Sequence, residues 1–239
     1  MNSFRSELNK KIKSSINNNY GIDNYDEYRF GEYIPIPPKK LNKRYKRIKY
    51  VKKIFRLLFG YDHDLKKVNK IVDSYIEDYE IRFNNIWNNI SDKDRDLIIS
   101  IVAFNILGYK KVKLPRNNNF YWKAIEVAKT LSDPKDTYDP NFMHFILEKF
   151  DLNPIGYDIK LYFSEIGIAI DYIIEQYSYK IGNKAIVEAE PNDVVLDIGG
   201  CWGDTAMYFA TKVKDKGKVY SFEFIPGNIK LFNTNLSFN

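Results

Sequence analysis

Val194-Val195-Leu196-Asp197-Ile198-Gly199-Gly200-Cys201-Trp202-Gly203-Asp204-Thr205-Ala206-Met207-Tyr208-Phe209-Ala210 is the stretch that decides the reading of this chain. Its first five residues are a short apolar run led in by Pro191-Asn192-Asp193, which predicts a buried parallel strand after a turn. Three glycines follow within five positions, and Asp204 then opens a helix with Ala206, Phe209, Ala210 and Val213 on one face. A turn centred on Gly217 leads to a second strand over 219–222, closed by Glu223, and Pro226 is well placed for the first turn of another helix. Strand, glycine loop, helix, strand and acid in that order make the first βαβ unit of a nucleotide-type, Rossmann-like α/β fold.

Each part of that unit has a physical use. Glycines let the backbone turn sharply and let a ligand approach where a Cβ would block it. A helix N-terminus presents N–H groups and partial positive charge. An acid at the end of the second strand accepts ribose hydroxyls as charge-assisted hydrogen bonds. Glu223 lies 24 residues after Gly199, near the ~20 expected for that role. A dinucleotide fits poorly. The G-x-G-x-x-G spacing would need glycine at positions where the chain has Cys201 and Asp204, the Asp204 carboxylate opposes a pyrophosphate, and Trp202 takes up room. S-adenosylmethionine, with an ammonium and a sulfonium at that end, tolerates acids nearby and is the favoured cofactor. An NAD-linked oxidoreductase and a cofactor-free α/β unit with glycine turns are the competing readings.

Residues 194–210 together with Gly217-Lys218-Val219-Tyr220-Ser221-Phe222-Glu223-Phe224-Ile225-Pro226 resemble the FkbM-type class I methyltransferases. Gly156-Tyr157-Asp158-Ile159-Lys160-Leu161-Tyr162 and Glu175-Gln176-Tyr177 resemble the segment before the loop in that family, so the likeness covers roughly residues 150–239. Gly200 stands where the family usually has alanine, a conservative departure that only widens the turn. The resemblance implies S-adenosylmethionine-dependent O-methyl transfer to a hydroxyl of a glycan or small molecule. It implies that Asp197 anchors the loop near the methionine end and that Gly199, Gly200 and Gly203 line the methionyl moiety, with Cys201 and Trp202 between them. Asp204 and Thr205 then sit near its amino-acid portion, Glu223 binds the ribose and Phe224 packs on the adenine. Gln176 and Tyr177 close over the cofactor. For Cys201 itself a small packing role is the simpler reading, since no activating partner for a reactive thiol is visible. No catalytic base and no metal ligand are assigned.

Bulk properties narrow the rest. Hydrophobic residues make up 44% and aromatics 16% of 239 residues, enough apolar material for a core. One cysteine excludes an intramolecular disulfide and a cysteine-rich metal site, and His63 and His144 sit in no ligand-spaced pattern. No apolar run approaches the ~18 residues of a membrane helix, and the N-terminus lacks a signal core. A cytoplasmic protein is the expectation, with the inner membrane face as a peripheral location.

The net charge of +6 is uneven. Residues 1–60 hold 15 Lys or Arg against 5 acids, and the remainder 22 against 26. The basic character concentrates at 39–58, where Leu41, Tyr45, Ile48, Val51, Phe55 and Leu58 recur at helical spacing beneath a cationic face that includes Lys46, Arg47 and Lys49. A packed basic helix is the first reading, contact with an anionic membrane surface the second, and nucleic acid the least favoured because no binding motif accompanies the charge. A non-catalytic interaction or peripheral membrane module using 39–58 is therefore the alternative function.

Three regions are expected. Residues 1–110 are helical, with an amphipathic helix carrying Phe4, Leu8, Ile12 and Ile16, an extended proline linker at 31–38, and helices over 64–90 and 92–108. Ser91 with Asp94 caps the last of these and Gly108 stops it. Residues 111–185 form an α+β connecting region, with a short strand at 110–114, a helix at 120–131, a turn-rich 132–140, and strands at 143–150 and 157–163. Residues 166–177 fit either helix or strand. Residues 186–239 are the Rossmann-like part. Class I domains have about seven strands, so the chain reads as a fragment with an exposed sheet edge, holding the front half of a cofactor site and inactive alone.

Overall fold

A computed structural model describes residues 3–25, 27, 31–35, 63–77, 79–182 and 184–239. The basic segment at 39–58 and the end of the proline linker lie outside the described residues. The chain is mixed α/β and divides into two compact units, Met1–Asn117 and Asn118–Asn239. Among the described residues no helix is long and apolar enough to cross a membrane.

The first unit is helical. Helix α1 (Phe4–Ser15) is capped by the Ser3 hydroxyl, which accepts from the Ser6 amide, and it buries Phe4, Leu8 and Ile12. They meet Val72 and Ile76 of α2 (His63–Glu77), Trp87 of α3 (Glu80–Asn89) and Ile99, Val102 and Ala103 of α4 (Asp92–Leu107). The Phe4 ring stacks on Phe83 with centroids 4.5 Å apart and meets Trp87 edge-on. The single helix expected over 64–90 is thus two helices. Ser91 caps α4, accepting from the Asp94 amide while donating to its carboxylate at 2.6 Å, and Gly108 ends it with φ 78°.

The strand expected at 110–114 does not form. The amides of Lys111 and Val112 turn back to the Gly108 carbonyl. The carbonyls of Tyr109 and Val112 are taken by the Asn24 side chain, and that of Lys111 by Asn18. Side chains distant in sequence satisfy this backbone, so it needs no ladder partner.

The second unit begins with α5 (Asn119–Lys129), whose N-cap Asn118 accepts from the amides of Phe120 and Tyr121. An antiparallel sheet follows in the order β1 (Ser132–Tyr138), β2 (Leu147–Asp151), β3 (Lys160–Phe163). The turn expected over 132–140 is mostly strand. The β1–β2 register slips between Asp133 and Thr137, so the edge strand absorbs Pro134 in a bulge. The undecided segment at 166–177 becomes helix α6 (Glu165–Ile168) running into a π-helical turn (Ala169–Ile173). A hairpin, β4 (Tyr179–Ile181) with β5 (Lys184–Val187), was not anticipated. Gly182-Asn183 between two apolar-containing runs is the turn signal that could have found it.

The parallel pair is β6 (Val194–Ile198) with β7 (Lys218–Phe222), joined by α7 (Asp204–Val213), and α8 (Pro226–Leu236) closes the described chain. Residues pair in register from Val194 with Lys218 to Ile198 with Phe222. The expectation of a fully buried strand is corrected: Val194, Leu196 and Ile198 are 63, 61 and 81% exposed. Side chains alternate across a sheet, and α7 packs on the two strands. The face bearing Val194, Leu196 and Ile198 is bare among the described residues.

The edge of β3 is closed by Asn235 of α8 and by Asn239, just beyond that helix. Asn235, fully buried, accepts from the Tyr162 amide at 2.7 Å and donates to the Tyr162 carbonyl and to that of Trp202. One helical turn on, Asn239 pairs in the same way with both backbone groups of Lys160. Two primary amides at i and i+4 thus act as a substitute strand for residues i and i+2 of β3, and they seat the glycine loop's Trp202 beside it.

Candidate functional site

The glycine loop lies between the end of β6 and the start of α7. Gly199 turns at φ 95°, with nothing within 4 Å of where a Cβ would sit. Gly200 is different. A Cβ there would lie 2.0 Å from Ser221 Oγ and 3.0 Å from Asp197 Oδ2. Alanine is therefore not a conservative substitute at this position, and glycine is required by packing against β7.

Most of the loop's own donors are spent within the protein. The amides of Gly199 and Gly200 both donate to the Phe222 carbonyl, at 2.9 and 3.0 Å, and Gly203 donates to Gly200. Asp197 is buried and ties three elements together. Its Oδ1 accepts from Thr205 Oγ1 at 2.9 Å and its Oδ2 from Ser221 Oγ at 2.7 Å. Trp202 turns into the core, 5% exposed, with its ring edge-on to Phe142, Phe145 and Phe163. Cys201 is half-buried, and burial followed by the charges of Asp204 and Glu223 pushes its thiol up to about 11, which keeps it protonated.

Asp204 is buried at the first turn of α7. Its carboxyl is hydrogen-bonded to that of Asp171, which the π-helical turn delivers. Burial first, then the Asp171 charge, raises Asp204 well above the usual carboxylate range. Asp171 is raised too, by burial, with relief from the Gln176 amide that donates to it at 2.5 Å. Two carboxyls can share such a bond only by holding a proton. Tyr172 Oη donates to the Asp204 carbonyl at 2.7 Å and completes the junction. Tyr177 is half-exposed, and its phenol is pushed up to about 12 by burial and then by Asp171, Asp204 and Asp197. Three acids thus surround the helix start, and Gln176 and Tyr177 flank them.

Asp171 was not selected from the sequence. An acid inside the apolar run Ile166-Gly167-Ile168-Ala169-Ile170-Asp171-Tyr172-Ile173-Ile174 is the signal that could have found it, because a buried carboxyl needs a partner. Beside this junction, Glu175 accepts from Tyr157 Oη at 2.8 Å, from Lys212 Nζ at 2.6 Å and from Lys180. Burial would raise Glu175, but these donors prevail and hold it at about 2.

Glu223 sits at the end of β7. Its Oε1 accepts from the amides of Phe224 and Ile225 at 2.6 and 2.8 Å, and its Oε2 from Asn228 Nδ2 at 3.2 Å. The Ile225 amide leads in holding its carboxyl below the usual glutamate range. Phe224 beside it is 87% exposed. Gly199, Asp197, Asp204, Thr205 and Glu223 therefore gather around the ends of the two parallel strands, whereas the Trp202 side chain leaves that group for the core. Among the described residues no cluster of His, Cys, Asp and Glu is placed to ligate a metal. Comparison with protein-family models, with curated proteins and with solved structures yields no match.

Proposed function

We propose that this chain belongs to an S-adenosylmethionine-dependent methyltransferase of FkbM type, with residues 194–228 forming the loop and ribose side of the cofactor site. The observation that carries the reading is the electrostatic character of the loop. Its Gly199 and Gly200 amides are committed to Phe222, and the first turn of the following helix is lined by Asp197, Asp204 and Asp171. Acids buried behind a loop whose amides are already committed disfavour a pyrophosphate, which needs free amides and positive charge. The same arrangement suits a ligand end that bears an ammonium and a sulfonium.

The residues fit the rest of that cofactor as well. The open space over Gly199 admits a close approach to the backbone. Glu223 is ionised and set at the strand end, where its carboxylate can accept from a ribose diol. Phe224 offers an exposed ring to an adenine. When bound, S-adenosylmethionine supplies an electrophilic methyl group. The chain's residues orient it: Asp197 holds the loop through Thr205 and Ser221, and the acid pair sets the charge at the amino-acid end. Transfer to a hydroxyl of a glycan or small molecule is the acceptor class that the resemblance in residues 150–239 suggests.

Isothermal titration of the chain with S-adenosylhomocysteine tests the reading, with NAD as the control. Heat with the first, none with the second, and weaker binding by Glu223→Ala are expected. Absence of S-adenosylhomocysteine binding, or equal binding by Glu223→Ala, would sink the proposal.

A further inference from the structure

We propose that Asn228 is a positioning residue that aims the Glu223 carboxylate at the ribose, an inference that rests on the cofactor reading above. Asn228 lies in the first turn of α8, after Pro226 and Gly227. Its side chain bridges two groups from different elements. The Trp202 indole Nε1–H donates to Asn228 Oδ1 at 3.1 Å, and Asn228 Nδ2 donates to Glu223 Oε2 at 3.2 Å.

The chemistry of the partners dictates the orientation of the amide. An indole N–H only donates and a carboxylate only accepts, so the oxygen must face Trp202 and the nitrogen Glu223. A primary amide is one of few side chains that can serve both at once. Aspartate would keep the bond to Trp202 but turn a like charge on Glu223.

What lies behind the bridge makes it a device for placement. Trp202 is buried among Phe142, Phe145 and Phe163, and its carbonyl is held by the buried Asn235. The indole is therefore fixed by the core. Glu223 is otherwise held by backbone amides alone, those of its neighbours Phe224 and Ile225, which move with it, and that of Cys201 in the glycine loop. Asn228 is the side chain that refers the acid to the rigid part of the unit. A carboxylate held within a narrow range of orientations binds a diol without losing that freedom on binding. The Nδ2 bond, at 3.2 Å, is longer than those from the Phe224 and Ile225 amides at 2.6 and 2.8 Å, so it guides the carboxylate without competing strongly for its lone pairs.

The test is a double-mutant cycle read by calorimetry with S-adenosylhomocysteine on the full 239-residue chain. Asn228→Ala should weaken binding about tenfold, the scale of one lost hydrogen bond to a charged group. In a Glu223→Ala background the same change should cost less than about twofold, because nothing remains to be aimed. Asn228→Asp, which keeps the acceptor for Trp202, should weaken binding more than alanine does, while the thermal midpoint and the Trp202 contact are retained. A role confined to stability would instead move both backgrounds equally. Unchanged affinity in Asn228→Ala, or an equal loss with and without Glu223, overturns the inference and leaves the cofactor reading standing if Glu223→Ala itself binds weakly. No binding by the wild-type chain overturns both.

Discussion

Replacing Gly200 by alanine should destabilise the second unit through one identifiable hydrogen bond. The new methyl group would sit 2.0 Å from Ser221 Oγ and 3.1 Å from the Phe232 ring. Gly200 does not have a positive φ, so the backbone itself accepts alanine, and the loss of unfolded-state freedom should return about 0.4–1 kcal/mol. Against this, the Ser221 hydroxyl must swing away from Asp197 Oδ2, to which it donates at 2.7 Å. Asp197 is buried, so losing a donor to its carboxylate costs about 1.5–3 kcal/mol. Residual crowding against Phe232 adds about 1–3 kcal/mol. The balance is a loss of about 1.5–5.5 kcal/mol. Urea unfolding followed by circular dichroism measures it, with Ser221→Ala and the double variant completing the cycle. Removing the Ser221 hydroxyl clears most of the space, so the double variant should be more stable than the sum of the single losses predicts, by about 1–3 kcal/mol. A neutral Gly200→Ala variant, or strict additivity, would refute the reasoning.

Three further outcomes follow from the same geometry. The Asp171–Asp204 pair has its pKa values raised in the folded state, so its contribution to stability is present below the unfolded aspartate value of about 4 and is lost as pH rises through the folded values. Urea midpoints of the wild type should therefore fall with rising pH above about 4, and Asp204→Asn, which cannot ionise, should flatten that slope; an unaltered slope counts against the shared proton. Glu175 is depressed to about 2, so its stabilisation is present above about 4 and lost as pH falls toward 2. Glu175→Gln should selectively remove that acid-side loss, and an identical acid limb in both proteins would contradict it. Asn235→Ala leaves three backbone groups of Tyr162 and Trp202 without their partner and should cost on the order of 2–4 kcal/mol, with faster hydrogen exchange at the Tyr162 amide; unchanged exchange there would show that the edge of β3 is held otherwise.

The parts of the fold readable from the sequence are those governed by local rules. The spacing of Phe4, Leu8 and Ile12 marks a helix face, Ser91 and Asp94 mark its capping elsewhere, and 194–222 alternates strand, glycine turn and helix as the structure does. The failures share a physical cause. The strand expected at 110–114 is cancelled by Asn18 and Asn24, more than 80 residues away, and no local pattern reports their amides. Residues 132–138 look like a turn because of Pro134, yet an edge position and a bulge accommodate it in a sheet. At the site, the glycines and Glu223 could be found because their spacing carries meaning. Asp171 and Asn228 could not be weighed in the same way, since their importance comes from a carboxyl and an indole that only folding brings beside them. The sequence also suggested that Trp202 fills the loop, whereas the core claims its ring. The basic segment 39–58, expected to be an amphipathic helix, lies outside the described residues.

The central claim is that the ends of the two parallel strands recognise the adenosyl and amino-acid parts of an S-adenosyl cofactor. Amide chemical shifts of the 15N-labelled chain, titrated with S-adenosylhomocysteine, test it most directly. The account predicts saturable shifts at Gly199, Gly203, Asp204, Phe224 and Asn228, unmoved positions across 92–107, and no such response to NAD. Shifts confined to other regions, or no shifts at all at millimolar ligand, would contradict it.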